Sequence, residues 1–175
     1  MRYIIYGAGG IGGAIGARLF NRGHEVVLIC RGDHLKIIQD KGLILKIPQE
    51  TFRLAIPAVG HPDEIAFSTD DVVLLTMKSQ DTEMALRDLE RAGASDLPVI
   101  CGQNGVDNER MAARRFSRVY GMVVWMPATY LEAGLVLNHA QPIGGILDGG
   151  CYPHGIDLLI TQVTYDLTQC GFSAK

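Results

Sequence analysis

The chain has 175 residues, 47% of them hydrophobic, with 16 basic against 19 acidic side chains and a net charge of −3. That length suits one domain, able to bury roughly 70% of its unfolded surface without staples. The balanced charge and the lack of a basic cluster argue against a general nucleic-acid or membrane-surface binder, and no apolar run reaches the about 18 residues of a membrane span.

Residues 3–6 form a short apolar, aromatic and β-branched run that predicts a buried strand. Gly7, Ala8, Gly9, Gly10, Ile11 and Gly12 then fit G-x-G-x-x-G. Residues 12–22 predict a helix, with Ile11, Ile15, Leu19 and Phe20 on one side and Arg18 and Arg22 off it. The glycines thus fall between a strand and a helix, where a dinucleotide fingerprint belongs. Gly7 permits the tight turn, Gly9 lets the backbone approach a pyrophosphate, and Gly12 lets the helix pack close to the strand. The helix N-terminus presents free N–H groups and partial positive charge to phosphates. An ordinary glycine-rich turn without a ligand is the other reading.

Gly23 suits the end of that helix, and residues 25–30 predict a second strand, parallel to the first. In NAD-binding domains an acid near the end of this strand takes the ribose 2′-OH. Here Ile29, Cys30 and Arg31 stand instead. Arg31 offers a planar fork for a 2′-phosphate, which predicts NADP(H); the plainer reading is a solvated arginine. Asp33 is placed to cap a helix over 34–41.

Residues 42–47 and 51–59 read as two strands around Pro48, either a hairpin or two pieces leading back to the sheet, and Pro57 confines the second to an edge or a strand end. His61 to Glu64 turn. Residues 71–77 are apolar without alternation, as in a parallel strand covered on both faces. Lys78 follows at its carboxyl end, where open α/β sheets bind ligands, so its ammonium is placed for a substrate carboxylate or a nicotinamide edge. A surface lysine in a βα turn fits the same position. A helix is predicted over 82–91, a strand over 97–101, and then Gln103-Asn104-Gly105 at another carboxyl end. Asn104 is either a ligand contact with donors and an acceptor, or turn chemistry. A helix over 108–116, a strand over 118–126, a turn over 127–132, an antiparallel pair over 135–139 and 142–147, and an amphipathic helix over 155–170 complete the chain. That helix has Ile156, Leu159, Ile160, Val163 and Leu167 at core-facing spacing. The pattern predicts an α/β, Rossmann-like doubly wound, mostly parallel sheet with helices on both faces and antiparallel strands near the C-terminal part.

Cys30, Cys101, Cys151 and Cys170 make no C-x-x-C pair and the five histidines no ligand motif, so no metal site is expected, and the cysteines read as reduced and mostly buried. Met1 leads directly into the first strand without a charged leader, so a cytoplasmic protein is expected.

The glycine loop near the N-terminus, Arg31 after the second strand, Leu75-Thr76-Met77-Lys78 and Gln103-Asn104-Gly105 form an ordered series. It resembles the N-terminal domain of the ketopantoate reductases (2-dehydropantoate 2-reductases) over essentially the whole chain. The resemblance implies that Gly7, Ala8, Gly9, Gly10, Ile11 and Gly12 hold the NADPH pyrophosphate and that Arg31 takes the 2′-phosphate. It implies that Lys78 lies at the nicotinamide and substrate side, and that Asn104 contacts cofactor and substrate. The implied reaction is hydride transfer to 2-dehydropantoate, giving pantoate on the way to coenzyme A.

Two departures accompany the resemblance. The family's general acid is a lysine on a helix of a second, helical domain, in a pattern like W-x-K-L-x-x-N; residues 1–175 hold no such match. The expectation is therefore a cofactor domain with a half-built substrate pocket, no catalytic residue of its own, little turnover, and a face open to self-association. Pro127 stands near where the family uses an alanine at the cofactor, and proline has no N–H to donate. A non-catalytic NADP-binding or sensor module, and a related 2-keto or hydroxy-acid dehydrogenase, are the alternatives.

Overall fold

The computed structural model describes all residues from Met1 to Lys175. The chain begins β1 (Arg2–Tyr6), α1 (Gly10–Asn21), β2 (Glu25–Ile29) and α2 (Gly32–Lys41). Three short strands follow, β3 (Leu43–Lys46), β4 (Thr51–Leu54) and β5 (Ala58–Val59). Then come β6 (Asp71–Leu75), α3 (Thr82–Arg91), β7 (Val99–Cys101) and α4 (Asn108–Ala112). The rest is β8 (Val119–Trp125), β9 (Ala128–Glu132), β10 (Leu135–Asn138), β11 (Ile146–Cys151) and α5 (Leu158–Gln169). Single 3₁₀ turns occupy Pro62–Glu64 and Ser79–Asp81.

Seven strands form one sheet in the order β11-β8-β7-β6-β1-β2-β5, parallel throughout except for β11 against β8. Alternation along its central strands feeds two cores. Tyr3 and Ile5 of β1 and Val72 and Leu74 of β6 enter one core; Ile4, Val73 and Leu75 enter the other. The second core is closed by Leu86 and Leu89 of α3 and Ala112 of α4. The first is closed by α1 and by Ile160, Val163 and Leu167 of α5. Helices thus cover both faces, the doubly wound arrangement that the hydrophobic pattern predicts. At the end of the sheet away from the loop, Asp71 is fully buried and accepts from Arg2 Nε and Nη2 at 2.7 Å and from Ser68 N at 2.7 Å. That fork joins the first residues of β1 and β6 and fixes their register.

A second, four-stranded sheet runs β4-β3-β10-β9. α1 lies between the two sheets, and its glycines make this possible. A Cβ on Gly16 would come within 2.8 Å of Leu28, and one on Gly13 within 2.7 Å of Val136. The sequence marks one apolar side on this helix, yet Gly13, Ala14 and Ala17 bury the other as well. Small residues carry little hydrophobic signal but permit close approach. The helix ends as a Schellman motif: Gly23, at φ +91°, donates to Phe20 O, and His24 to Leu19 O.

Several expectations are corrected by the strand pairing. Residues 127–132, predicted as a turn, contain β9, which pairs antiparallel with β10. The predicted hairpin over 135–139 and 142–147 does not form, because β10 joins the second sheet and β11 pairs with β8. Residues 51–59 split: β4 makes a hairpin with β3, while β5, just after Pro57, adds to the edge of the main sheet beside β2. α2 begins at Gly32 with Arg31 at the N-cap, so Asp33 lies inside the first turn and caps nothing. α4 is shorter than predicted, ending at Ala112. Ile156 stays outside α5 and is exposed. All four cysteines are free, and Cys30, Cys101 and Cys170 are buried. No helix is long and apolar enough to cross a membrane.

Candidate functional site

β1 lies between β2, its partner through α1, and β6, which continues the sheet the other way. That reversal is the topological switch point, where a crevice opens beyond the strand ends. Here it is a cleft of about 800 Å³ lined by Gly7, Ala8, Gly9, Gly10 and Ile11, with Arg31 and Lys78 among its other walls. A second cleft of about 410 Å³ shares Ile11, Thr76, Met77 and Lys78 with the first and continues to Gln103 and Asn104. The structure thus brings the residues singled out in the sequence onto one edge of the sheet, with Lys78 between the two clefts.

The glycine loop is built tightly on its inner side and left open on its outer side. Gly7 has φ +106°, and a Cβ there would lie 2.5 Å from Met77 N. Its N–H donates to Ile29 O at 3.0 Å and its carbonyl accepts from Thr76 Oγ1 at 2.9 Å. A Cβ on Gly12 would overlap Thr76 Oγ1 and Gly7 O, so this glycine seats the helix on the strand and stays out of the cleft. Gly9 differs: an added Cβ would meet nothing within 4 Å. Beside that open space the N–H groups of Gly10, Ile11 and Gly12 have no protein acceptor. Three unpaired donors at the N-terminus of a twelve-residue helix, those of Gly10 and Ile11 belonging to residues that line the cleft, have the chemistry of an anion cradle.

Arg31 leaves β2 at the cleft's edge; its side chain is 70% exposed and its Nη2 lies 3.9 Å from Asp81 Oδ2. Lys78 makes no ion pair. Asp88 also lines the cleft and is 3.5 Å from His61 Nε2. Burial and the nearby Asp88 push the Tyr6 phenol up to about 12, and burial pushes the Cys30 thiol up to about 11, so both stay protonated at neutral pH. Neither is a nucleophile there. Ala128, rather than Pro127, reaches the cleft, and its carbonyl oxygen lies 2.9 Å from where a Gly10 Cβ would be.

Asn104 sits in the loop between β7 and α4, held by its own backbone. Its carbonyl accepts from Ser79 Oγ at 3.1 Å and from Asn108 Nδ2 at 3.3 Å. Asn108 Oδ1 accepts from Thr82 Oγ1 at 3.0 Å, and Thr82 Oγ1 accepts from Gln103 Nε2 at 2.8 Å. This buried chain of polar groups links the loop to the start of α3. Sequence reasoning missed Thr82 and Asn108, along with Thr76 and His34. Only Thr76 and Gln103 carried a signal, as members of the two quoted motifs.

A mostly parallel switch-point sheet, a glycine turn with free helix donors and basic side chains on its rim define a Rossmann-like α/β domain. The comparisons make this narrower. The family model for ketopantoate reductase PanE/ApbA matches residues 3–152, and the chain belongs to that family. It is 30% identical to the 2-dehydropantoate 2-reductase of Pyrococcus horikoshii over all of its own length and 56% of the relative's. The Nostoc enzyme of the same name is 27% identical over 99% of this chain and 55% of its own. A ketopantoate reductase structure from Ralstonia eutropha superposes on the whole chain with a TM-score of 0.87 at 27% identity, again over 56% of that protein. D-mandelate dehydrogenase, solved with NADH and anilino(oxo)acetate, shares the fold with a TM-score of 0.87 at 23% identity. The chain therefore spans about half the length of the relatives it matches.

Proposed function

We propose that residues 1–175 form an NADP(H)-binding domain that serves the reduction of a 2-keto acid, 2-dehydropantoate, to pantoate. The observation that carries this reading is the trio of unpaired N–H groups at Gly10, Ile11 and Gly12 beside the open space at Gly9. A pyrophosphate satisfies those donors and takes the favourable end of the helix dipole. Arg31, at the end of β2 where no acid stands, takes the ribose 2′-phosphate, which favours NADPH over NADH. The family's substrate supports the choice of keto acid.

When bound, the nicotinamide supplies the hydride that reduces the ketone carbon. The chain's own part is to hold and orient. The loop and Arg31 fix the phosphates at one end of the cleft; Lys78 and Asn104 meet the reacting end at the other. Both bring N–H donors to a region where the carbonyl oxygen gains negative charge, and Lys78 adds a positive charge that suits a carboxylate.

The test is calorimetric titration with NADPH and NADH, followed by titration of the NADPH-loaded chain with 2-dehydropantoate and other 2-keto acids. NADPH is expected to bind at least tenfold more tightly, since a charged hydrogen bond contributes about 1.5–3 kcal/mol. Equal affinity for the two nucleotides sinks the NADP assignment. A preference for another keto acid sinks the substrate.

A further inference from the structure

His34 is a buried imidazole that the cofactor reading does not use. It lies in the first turn of α2, 5% exposed, and bonds two backbone groups far apart in sequence. Its Nε2 is 2.7 Å from Ala8 O, in the glycine loop, and its Nδ1 accepts from Gly134 N at 2.9 Å, in the turn between β9 and β10. The Gly134 N–H must donate, so Nδ1 carries no proton; Nε2 does, and it donates to Ala8 O. One neutral tautomer satisfies both partners. Tyr130 of β9 packs on the ring, centroid to centroid 4.4 Å.

The bond to Ala8 has a consequence for the cradle. The Ala8–Gly9 peptide has two polar groups. Its carbonyl is taken by His34, and its N–H, that of Gly9, donates to Gly7 O at 2.8 Å. With both ends bonded, that peptide plane is held, and the unpaired N–H groups of Gly10 and Ile11 follow it directly along the cleft wall. Ala128 O of β9 stands on the same side, 2.9 Å from where a Gly10 Cβ would be, so the loop passes β9 with no room for a side chain.

We propose that His34 is a positioning residue for the dinucleotide: it clamps the Ala8 carbonyl and braces the phosphate loop against the β9–β10 turn. This rests on the reading of that loop as the pyrophosphate site. The small second sheet thereby has a part in cofactor binding, although most of it stands outside the cleft.

A merely structural histidine lowers stability equally with and without nucleotide; a positioning one lowers affinity beyond that. The experiment is NADPH titration by calorimetry on the wild-type chain, His34→Phe and His34→Gln, with thermal melts of each. His34→Phe keeps a ring against Tyr130 and loses both bonds, so affinity is expected to fall about tenfold or more. His34→Gln retains an amide donor and an acceptor and is expected to recover to within about threefold of wild type. Should the Phe variant not fold, hydrogen exchange on the wild-type chain decides: bound NADPH is expected to slow the Gly134 amide through the clamp. Wild-type affinity in both variants, or a Gly134 amide indifferent to nucleotide, overturns the inference alone. A wild-type chain that binds neither NADPH nor NADH overturns the dinucleotide reading, and the inference with it.

Discussion

Gly9 and Gly12 belong to one motif but face opposite demands. Gly12 has no room for a side chain, because a Cβ would strike Thr76 Oγ1 and the Gly7 carbonyl. Gly9 has room within the protein and an ordinary φ of −71°. A methyl group there meets no protein atom within 4 Å and takes up the space proposed for a phosphate. Gly12→Ala is therefore expected to cost about 1–3 kcal/mol of stability by overpacking. Gly9→Ala is expected to leave stability unchanged or raise it by up to about 1 kcal/mol, since it restricts the unfolded chain. Yet it should weaken NADPH at least tenfold, because the pyrophosphate can no longer approach the loop. Denaturant melts paired with titrations separate the two positions. A Gly9→Ala chain that binds as tightly as wild type contradicts the placement of the phosphate.

At the scale of elements, the main sheet was legible, whereas of the second sheet β3, β4 and β10 could be read as strands but β9 and the way the four assemble could not. β1, β2, β6 and β8 announce themselves by continuous apolar runs. Their ends place Gly7, Arg31 and Lys78 on one edge by the general rule for open sheets. β9 gives no such signal: its last three residues, Tyr130 to Glu132, are exposed, so no alternation marks a buried face. Its sheet is assembled through β10 and β3, some ninety residues apart, and no local pattern reports that pairing. His34 was illegible for the same reason, since its partners are backbone groups with no side-chain identity. Its protonation nevertheless follows from its burial and its two backbone partners. Burial holds His34 below its ordinary 6.5, partly opposed by the bond to Ala8 O. The unfolded chain therefore takes up this proton more readily than the folded one. The stability that His34 contributes is complete above about pH 6.5 and is lost as pH falls below it toward the folded value. Protonation also puts a second N–H against the Gly134 N–H, which breaks the brace between α2 and the β9–β10 turn. Denaturant midpoints for the wild type are expected to fall more between about pH 7.5 and pH 5.5 than those of His34→Gln, which cannot titrate. Parallel losses in the two chains would assign the acid sensitivity to other groups.

For the molecule as a whole, the glycine loop is tied to both sheets at once. Gly7 bonds Ile29 and Thr76 at the ends of β2 and β6, Ala8 bonds His34, and Gly10 abuts Ala128. A ligand that fixes this loop therefore stabilises the fold across α1 instead of at one edge. Binding to the folded chain alone adds about 2.7 kcal/mol when the ligand is at a hundredfold its Kd. For a chain of this length that raises Tm by about 5–10 °C. Hydrogen exchange should slow in β1, β2 and β6 and also in β9 and β10. The discriminating variant is Arg31→Ala. Arg31 is mostly exposed and shares its charge with Asp81, so its loss touches no core and should leave the melt without nucleotide unchanged. NADPH at the same concentration should then give less than about half of its wild-type Tm shift, from an affinity loss of at least tenfold, while the shift from NADH stays as it was. If the two nucleotides shift the wild-type melt equally, Arg31 does not read the 2′-phosphate. If protection stays confined to the main sheet, the second sheet is no part of the cofactor site.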